Sequence, residues 1–302
     1  MRKRSFLILT AFALVFAMLP GSAIAKEGGV KANPDKANGY YLSLGTSLAA
    51  GTLADGMGGD IPFSPSSYTD FLADRVAQKD FKAKKHVKLG CPGETTMSMM
   101  TGFDPDGSPS LCHPAVFDTY KTGTQLGDAL RHLSSGRGKQ TKLITIDMGA
   151  NDALQTLTSC GPDIVCIAGE LETTKTNLRS IMTDIRAVYD GPIVAMNYYN
   201  PNLAFWVFGD PGFAILSAGL QTFYNDGLET VYADFDVLLA DVEIAFGSSD
   251  FSDADGNTIP DNVETICALT FMCSDGNIHP TPGGYEFIAG VFEATMAGAG
   301  LL

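Results

Sequence analysis

A chain of 302 residues, 45% hydrophobic and with a formal net charge of −14, is long enough to bury a large core. It is also too acidic to suit nucleic acid or an anionic membrane surface as a partner. No run beyond residue 25 approaches the roughly 20 apolar residues that a membrane span requires.

The chain opens with Arg2, Lys3 and Arg4, continues as an apolar run from Phe6 to Leu19, and closes with Ala23-Ile24-Ala25. That order is a secretory signal peptide cut after Ala25. Losing 25 residues and three basic groups leaves 277 residues at a net charge of −17. The expected product is secreted, without a stable membrane anchor, and monomeric. Residues 26–38 are polar and read as a flexible lead, and 39–302 as one domain.

The first strand, Tyr40 to Leu44, runs into Gly45-Thr46-Ser47, a glycine turn that lifts the Ser47 hydroxyl out at a strand end. Serine in such a turn also serves as a helix cap. A Gly-, Pro- and Ser-rich loop covers 51–67, followed by helical spacing over 68–78. A strand near His86 to Leu89 ends in Gly90-Cys91-Pro92-Gly93, which demands an unusual backbone. Helical spacing returns at 125–133. The clearest buried strand, Leu143 to Ile146, ends in Gly149-Ala150-Asn151-Asp152.

A long helix is expected over 163–189, a strand over 192–196, a helix over 214–232 and a last strand over 237–242. Phe205-Trp206-Val207-Phe208, with Phe213, Ile215 and Leu216, is an apolar patch that packs in the core or holds an acyl chain. A turn-rich loop carrying His279 feeds a final helix, 285–296. Strand and helix alternate about five times, which implies an α/β fold with a five-stranded, mostly parallel sheet between helix layers.

Six cysteines in an exported chain read as disulfides, and six allow 15 connectivities. Their order suggests three local loops: Cys91–Cys112, Cys160–Cys166 and Cys267–Cys273. A zinc site is disfavoured because no CxxC occurs and the histidines lie apart from the cysteines. Asp253, Asp255 and Asp261 surround Gly256, but an EF-hand register puts Phe251 first and Asn262 twelfth, where acids are needed. No metal or other cofactor is expected.

Three strand ends and a histidine loop converge on one sheet edge in a doubly wound fold. Together they suit acyl transfer. Ser47 attacks a carbonyl, His279 takes and returns the proton, and the N–H groups of Ser47 and Gly93 with the Asn151 amide stabilise the oxyanion.

Four blocks carry a resemblance: Leu44-Gly45-Thr46-Ser47-Leu48-Ala49-Ala50-Gly51, Gly90-Cys91-Pro92-Gly93-Glu94-Thr95-Thr96, Ile146-Asp147-Met148-Gly149-Ala150-Asn151-Asp152, and Asn277-Ile278-His279-Pro280-Thr281-Pro282-Gly283-Gly284-Tyr285. In that order the chain resembles the SGNH/GDSL hydrolase family, particularly its secreted, disulfide-bonded esterase and lipase branch of actinobacterial type. The resemblance implies a three-layer, flavodoxin-like fold, Ser47 as nucleophile, His279 as base, and an oxyanion hole from Ser47, Gly93 and Asn151. Two positions depart from the family pattern. Thr46 replaces the usual aspartate before the serine. Gly276 occupies the place three before the histidine where the family acid usually stands. Asp275, one residue earlier, is the candidate acid, with a backbone carbonyl as the alternative partner of His279.

The leading function is a carboxylic ester hydrolase, an esterase or lipase acting on a small-molecule or lipid ester. A carbohydrate deacetylase on the same fold is the second reading and would want exposed aromatic rings around the serine. A catalytically silent binding protein is the third, resting on Thr46 and the displaced aspartate.

Overall fold

The five expected strands form, all parallel: β1 (Tyr40–Gly45), β2 (Lys85–Lys88), β3 (Thr141–Asp147), β4 (Ile193–Met196) and β5 (Leu238–Ala240). The computed structural model describes residues 39–78, 83–161 and 163–302. The expected signal peptide and lead lie outside the described residues. The sheet order is β2-β1-β3-β4-β5 with every pairing parallel. This is the flavodoxin-like order, whose winding reverses between β1 and β3.

The last five residues of β1, the last five of β3 and all of β4 are buried. Side chains pointing both ways are therefore covered, as a parallel sheet between helix layers requires. On one side α2 (Tyr68–Gln78) packs against the final helix α11 (Pro282–Gly298). The other side holds α4 (Gln125–Leu133), α6 (Ile164–Arg186) and α7 (Pro211–Asp234), with α6 touching both neighbours.

The expected strands and long helices are present, α6 and α7 with somewhat shifted ends. The one-turn helix α1 (Ser47–Ala50) follows β1 directly, where the small residues after Ser47 can start a helix. Several elements were not expected. Helix α3 (Thr96–Thr101) follows the Gly93 loop. Asn151 lies in the first turn of α5 (Ala150–Cys160), a full helix rather than a loop. A two-stranded ribbon, Leu53–Ala54 against Asp60–Ile61, interrupts the 51–67 loop. Short helices α8 (Val242–Ala245), α9 (Asp261–Leu269) and α10 (Met272–Asp275) lead to the His279 loop.

All three expected disulfides form, Cys91–Cys112, Cys160–Cys166 and Cys267–Cys273, and none of the cysteines is free. The first ties the Gly93 loop to the segment before α4. The third braces α9 against α10 ahead of His279. Among the described residues no helix is long and apolar enough to cross a membrane.

Candidate active site

The turn after β1 is built around a buried carboxylate. Asp147, at the end of β3, accepts from Thr46 N (2.6 Å), Thr46 Oγ1 (2.8 Å) and the Tyr68 hydroxyl (2.7 Å). Complete burial raises its pKa to about 7 against the pull of these donors. Gly45 is held on its other side by Gln125, whose Oε1 accepts from Gly45 N at 2.6 Å while its Nε2 donates to Gly45 O at 2.9 Å. A Cβ on Gly45 would stand 2.4 Å from the Asp147 carboxylate, so the position excludes a side chain as well as using φ +140°. Thr46 then caps α1, its Oγ1 accepting from Leu48 N at 3.3 Å. Ser47 follows at N1, and its N–H has no protein acceptor among the described residues.

The Gly93 loop is fixed from below. Buried Glu94 accepts from Ser98 Oγ (2.8 Å), Tyr120 OH (2.8 Å) and Gln125 Nε2 (3.1 Å). Asn151 Nδ2 donates to Glu94 O at 2.9 Å, and Asp152 accepts from Thr96 N at 3.0 Å. The asparagine and glycine blocks are thereby locked to each other. Gly93 is exposed, and its N–H is also without a protein acceptor among the described residues.

Ser47, Asn151 and His279 line one cavity of about 70 Å³ at the carboxyl ends of β1 and β3. Ser47 and His279 are each 9% exposed, and no hydrogen bond joins them. Gly93 is not among the lining residues. Leu154, Tyr198 and Tyr199 supply apolar wall, and the Tyr199 hydroxyl donates to Ile278 O at 2.7 Å, fixing the loop beside His279. Burial lowers the pKa of His279, opposed by the charge of Asp60, so the ring is neutral near pH 7.

The partner of His279 differs from expectation. Asp275 ends α10, and Gly276 closes that helix at φ +64°, a left-handed cap that leaves Asp275 exposed and accepting from Ser274 Oγ at 2.7 Å. No hydrogen bond or ion pair joins Asp275 to His279. Nor does a backbone carbonyl: Nδ1 of His279 lies 2.8 Å from Asn277 Oδ1 and 3.3 Å from Asp60 Oδ1. Asp60 sits in the unexpected ribbon, inside a stretch that composition marks only as loop. Gln125 and Asp147 were likewise missed as supports, although a carboxylate closing an otherwise apolar strand is a visible signal.

The apolar patch divides. Phe205 and Trp206 pack against the core, whereas Val207, Phe208, Ile215 and Leu216 are exposed. A second cavity of about 40 Å³ shares Ala153, Leu157, Asn202 and Gln221 with the first and extends to Phe213 and Tyr224. Asp253 turns its carboxylate onto the N–H groups of Gly256, Asn257 and Thr258 in its own loop. Among the described residues no group of three or more His, Cys, Asp or Glu is arranged to hold a metal.

A hydroxyl at the switch point of a doubly wound sheet, a neutral imidazole in the same cavity and unpaired N–H groups define a site suited to nucleophilic acyl transfer. The chain belongs to the GDSL-like lipase/acylhydrolase family, whose model matches residues 43–287. No curated protein sequence matches it. Among solved structures it is similar to a mutant acetyl-xylooligosaccharide esterase from Geobacillus stearothermophilus. That match has 14% identity and a TM-score of 0.50, covering 85% of this chain and 94% of that one. It is also similar to a putative GDSL-like lipase from Parabacteroides merdae, at 15% identity and a TM-score of 0.50, covering 87% and 96%.

Proposed function

We propose that this protein is a secreted serine esterase that hydrolyses carboxylic esters through an acyl-serine intermediate, in the disulfide-bonded esterase and lipase branch of its family. The observation that carries the reading is the meeting of Ser47, Asn151 and His279 in one cavity beside an unpaired Ser47 N–H. Ser47 Oγ bonds to the ester carbonyl carbon as its proton passes to His279 Nε2, and the carbonyl π pair moves onto oxygen. The N–H groups of Ser47 and Gly93 and the Asn151 amide receive that oxyanion. Collapse breaks the bond to the alkoxy oxygen, which leaves with the proton from His279. Water then repeats the sequence on the acyl-serine, freeing the acid and regenerating Ser47.

The substrate is a small-molecule or lipid ester met by a monomer. Its acyl chain lies along Ala153 and Leu157, which line both cavities. A carbohydrate deacetylase is less well supported, because the aromatic residues lining the cavity, Tyr198 and Tyr199, are both buried and offer no exposed face to a sugar.

A panel of p-nitrophenyl esters from acetate to octanoate, read with wild type and Ser47→Ala, tests the proposal. Turnover of several chain lengths by wild type, with fluorophosphonate labelling of Ser47, is the expected result. Activity confined to acetate sinks the lipase side of it, and failure to label Ser47 points to a silent binding protein.

A further inference from the structure

We propose that Asp60, carried on the ribbon after the nucleophile turn, is a positioning residue for His279, and that it shares the work of a triad acid with Asn277. This rests on the esterase reading and adds the residues that prepare its base.

Hydrogen-bond logic fixes the proton. The backbone N–H of His279 can only donate, and it lies 2.9 Å from the Asn277 amide, so the atom facing it is Oδ1. The same Oδ1 lies 2.8 Å from His279 Nδ1 and accepts only, so Nδ1 carries the hydrogen. Nε2 is left with its lone pair, as a base for Ser47 must be. The other half of the amide, Nδ2, donates to Asp60 Oδ1 at 2.8 Å, which places that carboxylate oxygen 3.3 Å from Nδ1. Asn277 thus sets the tautomer and Asp60 supplies the negative charge beside the ring. When Ser47 gives its proton to Nε2, the imidazolium forms next to that charge.

Asp60 is placed by the fold. Asp55 closes the ribbon by accepting from Met57 N (2.7 Å) and Gly59 N (2.8 Å). The base is tied down where Thr52 Oγ1 donates to Pro62 O at 2.9 Å and the Tyr285 hydroxyl of α11 donates to Thr52 O at 2.7 Å. Among the described residues Asp60 is the one charged side chain within ion-pair distance of His279. Asp275 is engaged with Ser274, and α5, the Tyr199 segment and α7 present Asn151, Tyr199, Asn202 and Gln221 to the cavity. The Asp60 side chain is 47% exposed, so water and salt weaken its field, and its loss costs less than loss of a buried triad acid.

The test compares wild type, Asp60→Asn, Asp275→Asn and the double variant Asp60→Asn with Asn277→Asp. It reads kcat and KM on p-nitrophenyl butyrate across pH, and the His279 ring titration by NMR. Asp60→Asn is expected to lower kcat about 10- to 100-fold, with KM within about twofold. It should also move the acid limb of the rate profile and the His279 titration to lower pH, since a charge favouring imidazolium is gone. Asp275→Asn should match wild type. The double variant moves the charge to position 277 while keeping an amide–carboxylate hydrogen bond, and should regain most of the lost rate.

Unchanged kcat and titration in Asp60→Asn overturn the proposal. So does a rate loss with an unmoved limb, which is the mark of a ribbon that only braces the loop. If wild type cleaves no ester, the esterase reading fails while the NMR titration still decides whether Asp60 charges the His279 ring.

Discussion

The fold contains two serine–histidine–aspartate sets whose serines are four residues apart, one inside β1 and one in the helix turn that follows it. In the first, Ser43 Oγ lies 2.8 Å from His86 Nε2, and His86 Nδ1 lies 3.8 Å from Asp70, which Lys88 also engages at 2.6 Å. In the second, Ser47 and His279 share a cavity without a hydrogen bond between them. By bond geometry alone the first set is the better formed. Yet Ser43 is 0% exposed, inside the ladder between β2 and β3, and His86 stacks on Tyr41 at a centroid distance of 4.5 Å. No carbonyl can reach it. What makes the Ser47 set a site is space beside the hydroxyl and donors left unpaired, both of which the Ser43 set lacks. A hydrogen-bonded serine and histidine are evidence of packing until an approach for substrate is shown.

Exchanging the two serines breaks the comparison most sharply. Ser47→Ala should lower kcat/KM for ester hydrolysis by about 10⁴-fold or more, with an unchanged melting temperature. Ser43→Ala should leave kcat/KM within about twofold, since Ser43 touches no substrate. It should instead destabilise the fold by about 1–3 kcal/mol, because His86 Nε2 loses its buried partner. Thermal and denaturant unfolding with a single ester assay on both variants measure all four quantities. Comparable activity losses in the two would show that the sets cannot be told apart by access.

The sheet was legible because strands covered on two faces need largely apolar runs, and Tyr40 to Leu44, Leu143 to Ile146 and Ile193 to Met196 show them. The Gly45-Thr46-Ser47 turn was legible for a different reason: glycine followed by a small polar residue at a strand end has few backbone solutions. The acid was not. Asp60 and Asn277 meet across 217 residues, and a ribbon with two residues per strand is too short to show alternation. Asp275 is attractive only by nearness in sequence, and the one-turn helix capped by Gly276 directs it to solvent. Helix α5 was hidden because its polar residues and the Gly149 start resemble a loop, while tertiary packing against α6 supplies its stability.

The histidines offer a smaller test. Burial lowers the pKa of His86 to about 4, against an ordinary value near 6.5. A histidine depressed in the fold binds its proton more readily when unfolded. The stability it contributes is therefore complete above about pH 6.5 and lost as pH falls toward about 4. The loss amounts to about 3 kcal/mol. His86→Gln keeps a polar partner for Ser43 and has no such proton, so its stability should fall less over that window. Thermal unfolding of both proteins from pH 7 to pH 4 reads the difference. Parallel curves would mean that His86 is wet and titrates normally, which would erase the contrast with a buried set.

The smallest effect probes the space that distinguishes Ser47. Ala153 stands in the wall common to the two cavities, two residues along α5 from Asn151, so its side chain borders the proposed acyl route. Replacing it with Leu adds three carbons to that shared wall. Acetate occupies only the part beside Ser47 and should be hydrolysed within about twofold of wild type. Octanoate reaches past Ala153 on the proposed route, and its kcat/KM should fall about fivefold, in line with the modest discrimination available from a few methylenes in an apolar pocket. A uniform loss on both esters would mean that the substitution shifts Asn151 rather than narrowing the route. An unchanged octanoate rate would place the chain along the exposed Leu154 side of the cavity instead, and the space that separates Ser47 from Ser43 would then be an open surface rather than a cleft.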